Sequence, residues 1–276
     1  MKKNIKEFIG AILVMLQPKK AEILIQKGIS FNVKNELKLS DRLMRAALLK
    51  NVEKKKDFNV LAEYHENFWK ETGSKYFSDK ENVLQDFFLP KCIPVFEKLQ
   101  NLLKDTTQNF HTIVEIGTGT GDVLNYLSTE LPQIGRFVGI DLSVEQIDFN
   151  KKKYEQNNKM EFVATDGLIW AKENGTSNMI FFTSGGVLEY FTEQRLQQLF
   201  SYLNQLGPII FIAIEPIGKN IDFNKNPSSQ PYGIERSFSH DYVRLFQNAG
   251  FNLWHQSKVE GYQNEAYFGL FGAKNR

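Results

Sequence analysis

The chain has 276 residues, 42% of them hydrophobic and 24% charged, with a mean hydropathy of −0.37. That balance excludes disorder, collagen and coiled coil as its main state. A net charge of +2 and a pI near 8.4 are too even for a dedicated nucleic-acid binder. The single cysteine, Cys92, excludes an internal disulfide and any cysteine-rich zinc site, and makes a reducing cytoplasm the default location.

Lys2, Lys3 and Lys6 precede an apolar run from Phe8 to Leu16, the outline of a secretory signal. Leu16-Gln17-Pro18-Lys19-Lys20 offers no small-residue cleavage site, and the run has about half the length of a membrane span. It therefore reads as a helix packed on its own protein, with a helix lying on a membrane surface as the alternative. Residues 1–60 hold 14 of the 34 Lys+Arg but only 6 of the 32 Asp+Glu, so a basic segment (+8) precedes an acidic remainder (−6). Within it, Ser40-Asp41 reads as the cap of a helix whose Leu43, Met44, Ala47 and Leu48 share one face, and Lys54-Lys55-Lys56 end it. From Leu61 to Asn109 the chain stays helical and turns aromatic (Tyr64, His65, Phe68, Trp69, Tyr76, Phe77), with Pro94 suited to a helical first turn. Residues 1–109 are expected to form one helical extension, which is open to service as a lid, an oligomer contact or an anchor.

At Phe110 the pattern changes to short apolar runs alternating with amphipathic stretches, the signal for βα units on a parallel sheet. Strands are expected at Thr112–Ile116, Arg136–Ile140, Glu161–Ala164, Met179–Thr183 and Ile209–Ile214. Helices are expected at Asp122–Glu130, Val144–Gln156 and Glu193–Leu206. A polar loop reaches about Phe238, and a helix at His240–Asn248 is closed by Gly250. Two last runs, Asn252–Val259 and Glu265–Ala273, flank Gly261-Tyr262-Gln263-Asn264 as an antiparallel hairpin.

The strongest chemical signal is Glu115-Ile116-Gly117-Thr118-Gly119-Thr120-Gly121-Asp122, a strand end that turns on three alternate glycines and opens a helix. Glycines there let the backbone bend tightly and bring its N–H groups close to a ligand. Asp122 stands where a dinucleotide fingerprint wants its third glycine, and no Gly-Lys-Ser/Thr follows, so neither phosphate-loop pattern is met. The flanking carboxylates suit a ligand with positive or hydrogen-donating groups. Asp141 ends the next strand, where a carboxylate can accept both hydroxyls of a ribose. Asp166, after the third strand, can accept an exocyclic amine.

In combination these residues resemble the class I S-adenosylmethionine-dependent methyltransferases, over residues 110–276. The resemblance makes Glu115, Gly117, Thr118, Gly119 and Gly121 the first cofactor motif, and Asp141 with Leu142 the ribose turn. Asp166 with Gly167 becomes the adenine-side turn, and Met179–Phe191, including Ser184, the segment flanking the transfer site. It implies a Rossmann-like α/β fold, a seven-stranded and mostly parallel sheet with its last strand reversed. It also implies S-adenosylmethionine as cofactor.

Thr183-Ser184-Gly185-Gly186 replaces the Asn/Asp-Pro-Pro-Tyr/Phe of the nucleobase-methylating members. Glu189 lacks the second glutamate of the arginine-methylating ones, and Glu215 and Asp222 are too isolated for a metal-dependent type, so no metal is expected. What remains is transfer to a hydroxyl or amine of a small molecule. The alternatives are a non-catalytic cofactor-binding module and a membrane-surface enzyme with a lipophilic acceptor. Tyr64, Trp69, Tyr76 and Tyr190 are the expected acceptor-binding residues, aromatic faces that favour a sulfonium and keep the site dry. A hydroxyl acceptor calls for a base near neutral pKa. His240 is the first candidate for it, His65 the second, and Glu189 a further catalytic residue that positions the acceptor.

Overall fold

A computed structural model describes residues 2–29, 38–78, 83–261 and 265–276. The turn expected at Tyr262–Asn264 lies outside those residues. Five helices come first: α1 (Lys2–Leu16), α2 (Pro18–Gln26), α3 (Leu39–Lys55), α4 (Phe58–Ser78) and, after a π-helical turn at Leu84–Phe88, α5 (Leu89–Asp105). The α/β region follows as β1 (Thr112–Ile116), α6 (Asp122–Glu130), β2 (Arg136–Asp141), α7 (Val144–Lys153), β3 (Met160–Ala164), α8 (Gly167–Asn174) and β4 (Met179–Thr183). It continues through a 3-10 turn at Leu188–Tyr190, α9 (Glu193–Gln205), β5 (Ile209–Gly218), β6 (Gln230–Tyr232), β7 (Ser237–Ser239), α10 (Tyr242–Asn248), β8 (Asn252–Glu260) and β9 (Ala266–Lys274).

The main sheet has the order β3-β2-β1-β4-β5-β9-β8, parallel from β3 through β5, with β9 antiparallel to both of its neighbours. This is the expected seven-stranded sheet with its last strand reversed. Alternate residues of the central strands feed opposite faces, as a period of two requires. Val114, Phe181 and Phe211 enter one core with Leu199, Phe200 and Phe246. Ile113, Phe182 and Ile212 enter the other with Leu124, Phe96 and Leu99. Burial on both faces explains why these strands read as nearly continuous apolar runs. The order reverses between β1 and β4, and in open parallel sheets the crevice at the carboxyl ends of such strands is where ligands bind.

Four details depart from the sequence reading. α8 occupies a stretch read as connection; its Gly167 first position hides a helix that Asp166 caps by accepting from the Leu168 and Ile169 N–H groups. The loop expected up to Phe238 contains a two-stranded ribbon, β6 paired with β7. Pro94 lies inside α5, because the helix begins at Leu89 and Pro90 takes the first-turn place. α3 begins at Leu39 with Lys38 at its cap; the Ser40 hydroxyl donates to Asp41 instead of capping.

The helical extension reaches the sheet through α5, which packs on β8 and β9, while α4 packs on α7 and on the 3-10 turn after β4. α1 lies along α3, and Gly10 makes the approach close enough that a Cβ there would overlap the Leu43 carbonyl.

Candidate active site

A cavity of about 620 Å³ opens at the crevice where the strand order reverses, within the size range of small-molecule sites. One end is the loop between β1 and α6. Gly117, Gly119 and Gly121 adopt left-handed φ values of 71°, 50° and 72°. A side chain at Gly117 would also run into Val187. Asp141, buried at the end of β2, braces the loop: Gly119 N–H donates to its Oδ2 and Ser143 N–H to its Oδ1, both at 3.0 Å. Burial raises the Asp141 pKa, and these backbone donors oppose the shift. With the Leu142 N–H as a third backbone donor, the two oxygens still keep acceptor capacity at the cavity that Asp141 and Leu142 line.

Glu115 stands behind this loop rather than in the cavity wall. It is fully buried, and its two oxygens accept from the Thr118 hydroxyl (2.7 Å) and the Ser184 hydroxyl (2.6 Å). It therefore ties the glycine loop to the loop after β4. Burial pushes its carboxyl up to about 8. Asp166 and Gly167 do line the cavity. Asp166 is more committed than the sequence suggested: Oδ1 caps α8, and Oδ2 pairs with Arg195 at 2.9 Å. Any ligand amine would share that second oxygen with Arg195.

The other end is built around the 3-10 turn. Glu215, in the middle of the buried strand β5, accepts from the Val187 N–H (3.0 Å) and the Leu188 N–H (3.1 Å). A carboxylate thus holds the open N-terminus of the turn that presents Glu189. Glu189 lines the cavity; its Oε2 accepts from the Tyr232 hydroxyl at 2.8 Å, and its Oε1 lies over Gly186, where a Cβ would come within 2.7 Å of it. Burial pushes the Glu189 pKa up to about 7, against hydrogen bonds from Ser237 and Tyr232 and with the charge of Glu235 adding to the rise. Trp69, Tyr76 and Tyr190 line the cavity beside it, with Trp69 packed edge-on to Tyr76 (centroids 5.1 Å apart) and tilted against Tyr190 (5.3 Å). Val83, Leu84, Phe87 and Phe268 add apolar wall.

Five of the expected site residues do not line the cavity: Glu115, Gly121, where a Cβ would meet Tyr154 and Phe162, and His240, His65 and Tyr64. His240 is fully buried outside this cavity, and both ring nitrogens are engaged. Nε2 faces the Leu188 carbonyl (3.1 Å) and so donates to it, which leaves Nδ1 to accept from the Ser229 hydroxyl (2.6 Å). Burial pushes its pKa down to about 4. A ring fixed this way braces the 3-10 turn and is not placed to deprotonate a substrate. His65 is likewise fully buried, packed on Tyr190 (centroids 5.1 Å apart), with its pKa pushed by burial down to about 4. Tyr64 belongs to the core of the helical layer, with Leu48, Leu61 and Phe238.

Sequence reasoning passed over Glu215, Tyr232 and Arg195. For Glu215 a signal existed: a carboxylate inside Ile209-Ile-Phe-Ile-Ala-Ile-Glu-Pro216 must be partnered if that run is a buried strand. Tyr232 and Arg195 reach the site only through the ribbon and α9, and their neighbours in sequence carry no such sign.

Residues 113–206 match a family model described as a methyltransferase domain. That stretch of the chain is therefore similar to methyltransferase domains. A demethylmenaquinone methyltransferase from Porphyromonas gingivalis is 23% identical over 109 residues, which are 38% of this chain and 44% of that protein. The chain thus matches less than half the length of that relative. Among solved structures, magnesium protoporphyrin IX methyltransferase from Synechocystis PCC 6803 superposes with a TM-score of 0.52 in its crystal structure with bound S-adenosylmethionine. That match covers 78% of this chain and 97% of the other at 14% identity. The same enzyme with bound S-adenosylhomocysteine gives 0.53 at 15% identity, covering 78% and 100%. At such identities the likeness is one of fold. The matched stretch runs from β1 through α9; the helices before it and the β6–β7 ribbon add wall at the Glu189 end of the cavity.

Proposed function

We propose that this chain binds S-adenosylmethionine at the glycine-loop end of the cavity and transfers its methyl group to a hydroxyl or amine of a small molecule held at the Glu189 end. The observation that carries the reading is that one cavity joins Asp141 to Glu189, the carboxylate suited to a ribose and the carboxylate with a pKa near neutrality.

The residues fit the cofactor. Asp141 has acceptor capacity left for two ribose hydroxyls, and the left-handed glycines let the loop turn tightly beside it. Thr165, Asp166 and Gly167 bound the part that a purine would fill, and Ser184 and Gly185 lie on the way to the acceptor end. When bound, the cofactor supplies an electrophilic methyl group on a sulfonium. The protein's share is mostly placement, which can remove much of the barrier to a displacement between two held groups. Trp69, Tyr76 and Tyr190 form a dry aromatic wall suited to a neighbouring positive charge. Glu189 takes the acceptor's proton at a carboxylate oxygen and, near pH 7, is present in both ionisation states.

The test is calorimetric titration with S-adenosylmethionine and S-adenosylhomocysteine, followed by a screen of hydroxyl and amine acceptors with labelled methyl groups. Binding of both, reduced in Asp141→Ala, is the expected result. Absence of binding to either would remove the reading.

A further inference from the structure

We propose that the outer face of α1, with the lysines around it, docks this protein onto an anionic lipid bilayer surface. Ile5, Phe8, Ile9, Ile12, Met15 and Leu16 recur at three- and four-residue intervals along α1, so they form one stripe. All six are exposed, Phe8 to 67% and Met15 to 80%. Large side chains in such numbers on one exposed stripe are unusual on a protein that meets only water.

The stripe cannot be turned inward. The opposite side of α1 is committed: Gly10 sits against the Leu43 carbonyl with no room for a Cβ, and Leu13 and Val14 pack beside Ala21, Leu24 and Met44. Ile23 of α2 adds a further exposed apolar side chain.

Charge selects the occupant. Residues 1–29 contain Lys2, Lys3, Lys6, Lys19, Lys20 and Lys27 against Glu7 and Glu22. Lys6, Lys19 and Lys27 are exposed, whereas Lys20 pairs with Asp41. An apolar stripe bordered by lysines matches an interface with acyl chains below and anionic headgroups above. Among the described residues no helix is long and apolar enough to cross a membrane, so α1 would lie in the surface plane. The docked face and the acceptor end belong to one helical layer, since α1 packs on α3, α3 on α4, and α4 lines the cavity with Trp69 and Tyr76.

The proposal stands independently of methyl transfer and is tested without it. The full chain is floated with vesicles of phosphatidylcholine alone and of phosphatidylcholine with phosphatidylglycerol. It should rise with the anionic vesicles, stay down with the neutral ones, and be released by added salt. Phe8→Glu with Met15→Glu should abolish flotation, and Lys6→Glu with Lys19→Glu should remove the preference for the anionic vesicles. The four sites are exposed, so the circular dichroism and Tm of both variants should match the parent. Failure of the parent to float, or equal flotation of the Phe8/Met15 variant, would overturn the proposal. So would a parent that stays down with vesicles but is a dimer which the Phe8/Met15 variant converts to monomer; the face would then be a contact between copies of this chain.

Discussion

Main chain shapes one end of the cavity, and side chains shape the other. At the glycine-loop end the wall is the loop from Gly117 to Thr120, held in left-handed turns and braced by Asp141 through a peptide N–H. At the acceptor end the wall is Trp69 and Tyr76 from α4, Phe87 from the π-helical turn, Glu189 and Tyr190 from the 3-10 turn, and Tyr232 from the ribbon. A backbone wall tolerates few sequences, because a positive φ and a missing Cβ are local demands that glycine meets best. A wall of side chains drawn from four distant stretches can change its chemistry one residue at a time while the sheet beneath stays the same. The two ends should therefore fail differently when altered.

The largest expected effect is at the acceptor end. Glu189→Gln keeps the shape and the Tyr232 contact but removes the base, so kcat should fall by about 10²–10⁴-fold. The parent's rate should climb with pH through about 7, as Glu189 ionises, and that rising limb should vanish in the variant. Affinity for S-adenosylhomocysteine, measured by calorimetry, should be unchanged. A variant that kept its rate would take Glu189 out of the chemistry.

At the glycine-loop end the sign of the experiment reverses. Asp141→Ala leaves the Gly119 and Ser143 N–H groups without their partner and removes the acceptor for ribose. Cofactor affinity should weaken by about 1–3 kcal/mol, roughly 5- to 150-fold in Kd. With cofactor at saturation, kcat should recover most of the parent value. Loss of kcat without loss of affinity would mean that the two ends are not separate in function.

This division also accounts for what could be read before the structure. β1, the glycine turn and Asp141 follow from contiguous patterns (an apolar run, three alternate glycines, a carboxylate at the next strand end), whereas the seven-stranded sheet with its last strand reversed came from the family resemblance. The identity of the base did not follow. His240 was favoured because imidazole titrates near neutrality in water, but burial against the Leu188 carbonyl and the Ser229 hydroxyl moves it to about 4. Glu189 was undervalued because carboxylates are acidic in water, and burial moves it to about 7. Ordinary pKa values give the wrong order for two groups whose environments are set by residues far away in sequence. α8 and the β6–β7 ribbon were missed for a simpler reason: each is short, and Gly167 or Pro231 punctuates it.

His240 then provides a smaller, structural test. His240→Ala leaves the Leu188 carbonyl and the Ser229 hydroxyl unpaired in the core and opens space beneath the 3-10 turn. Unfolding should become easier by about 2 kcal/mol, seen as a Tm lowered by several degrees. The pH dependence of kcat should keep the limb near 7, since Glu189 remains. If that limb disappeared instead, the ring would be acting on the proton and not only on the fold.

The smallest effect separates the two carboxyls behind the cavity. Glu115, behind the glycine loop, and Glu215, behind the 3-10 turn, are both raised by burial to about 8, from 4.5 for an ordinary glutamate. Between 4.5 and 8 the folded chain therefore holds protons that the unfolded chain has released, so these groups favour folding at low pH and lose that contribution as pH rises. His65 and His240 act oppositely: lowered from 6.5 to about 4, they favour folding above 6.5 and lose that contribution as pH falls. Between 4.5 and 6.5 the two histidines offset these two carboxyls, and Glu189, raised from 4.5 to about 7, leaves a net loss as pH rises. From 6.5 to 8 the histidines have finished titrating and the carboxyls have not, so each of the two carboxyls should withdraw about 1–2 kcal/mol of stability across that interval. Glu115→Gln and Glu215→Gln each keep a carbonyl acceptor and remove one titration, and each should flatten the fall in Tm. Bound S-adenosylhomocysteine should leave the Glu215→Gln difference in place, because Glu215 holds the Val187 and Leu188 N–H groups at the start of the 3-10 turn. It should alter the Glu115→Gln difference, because Glu115 holds Thr118 and Ser184 on the wall the ligand touches. Equal responses of the two variants to ligand would show that the backbone end and the side-chain end move as one body.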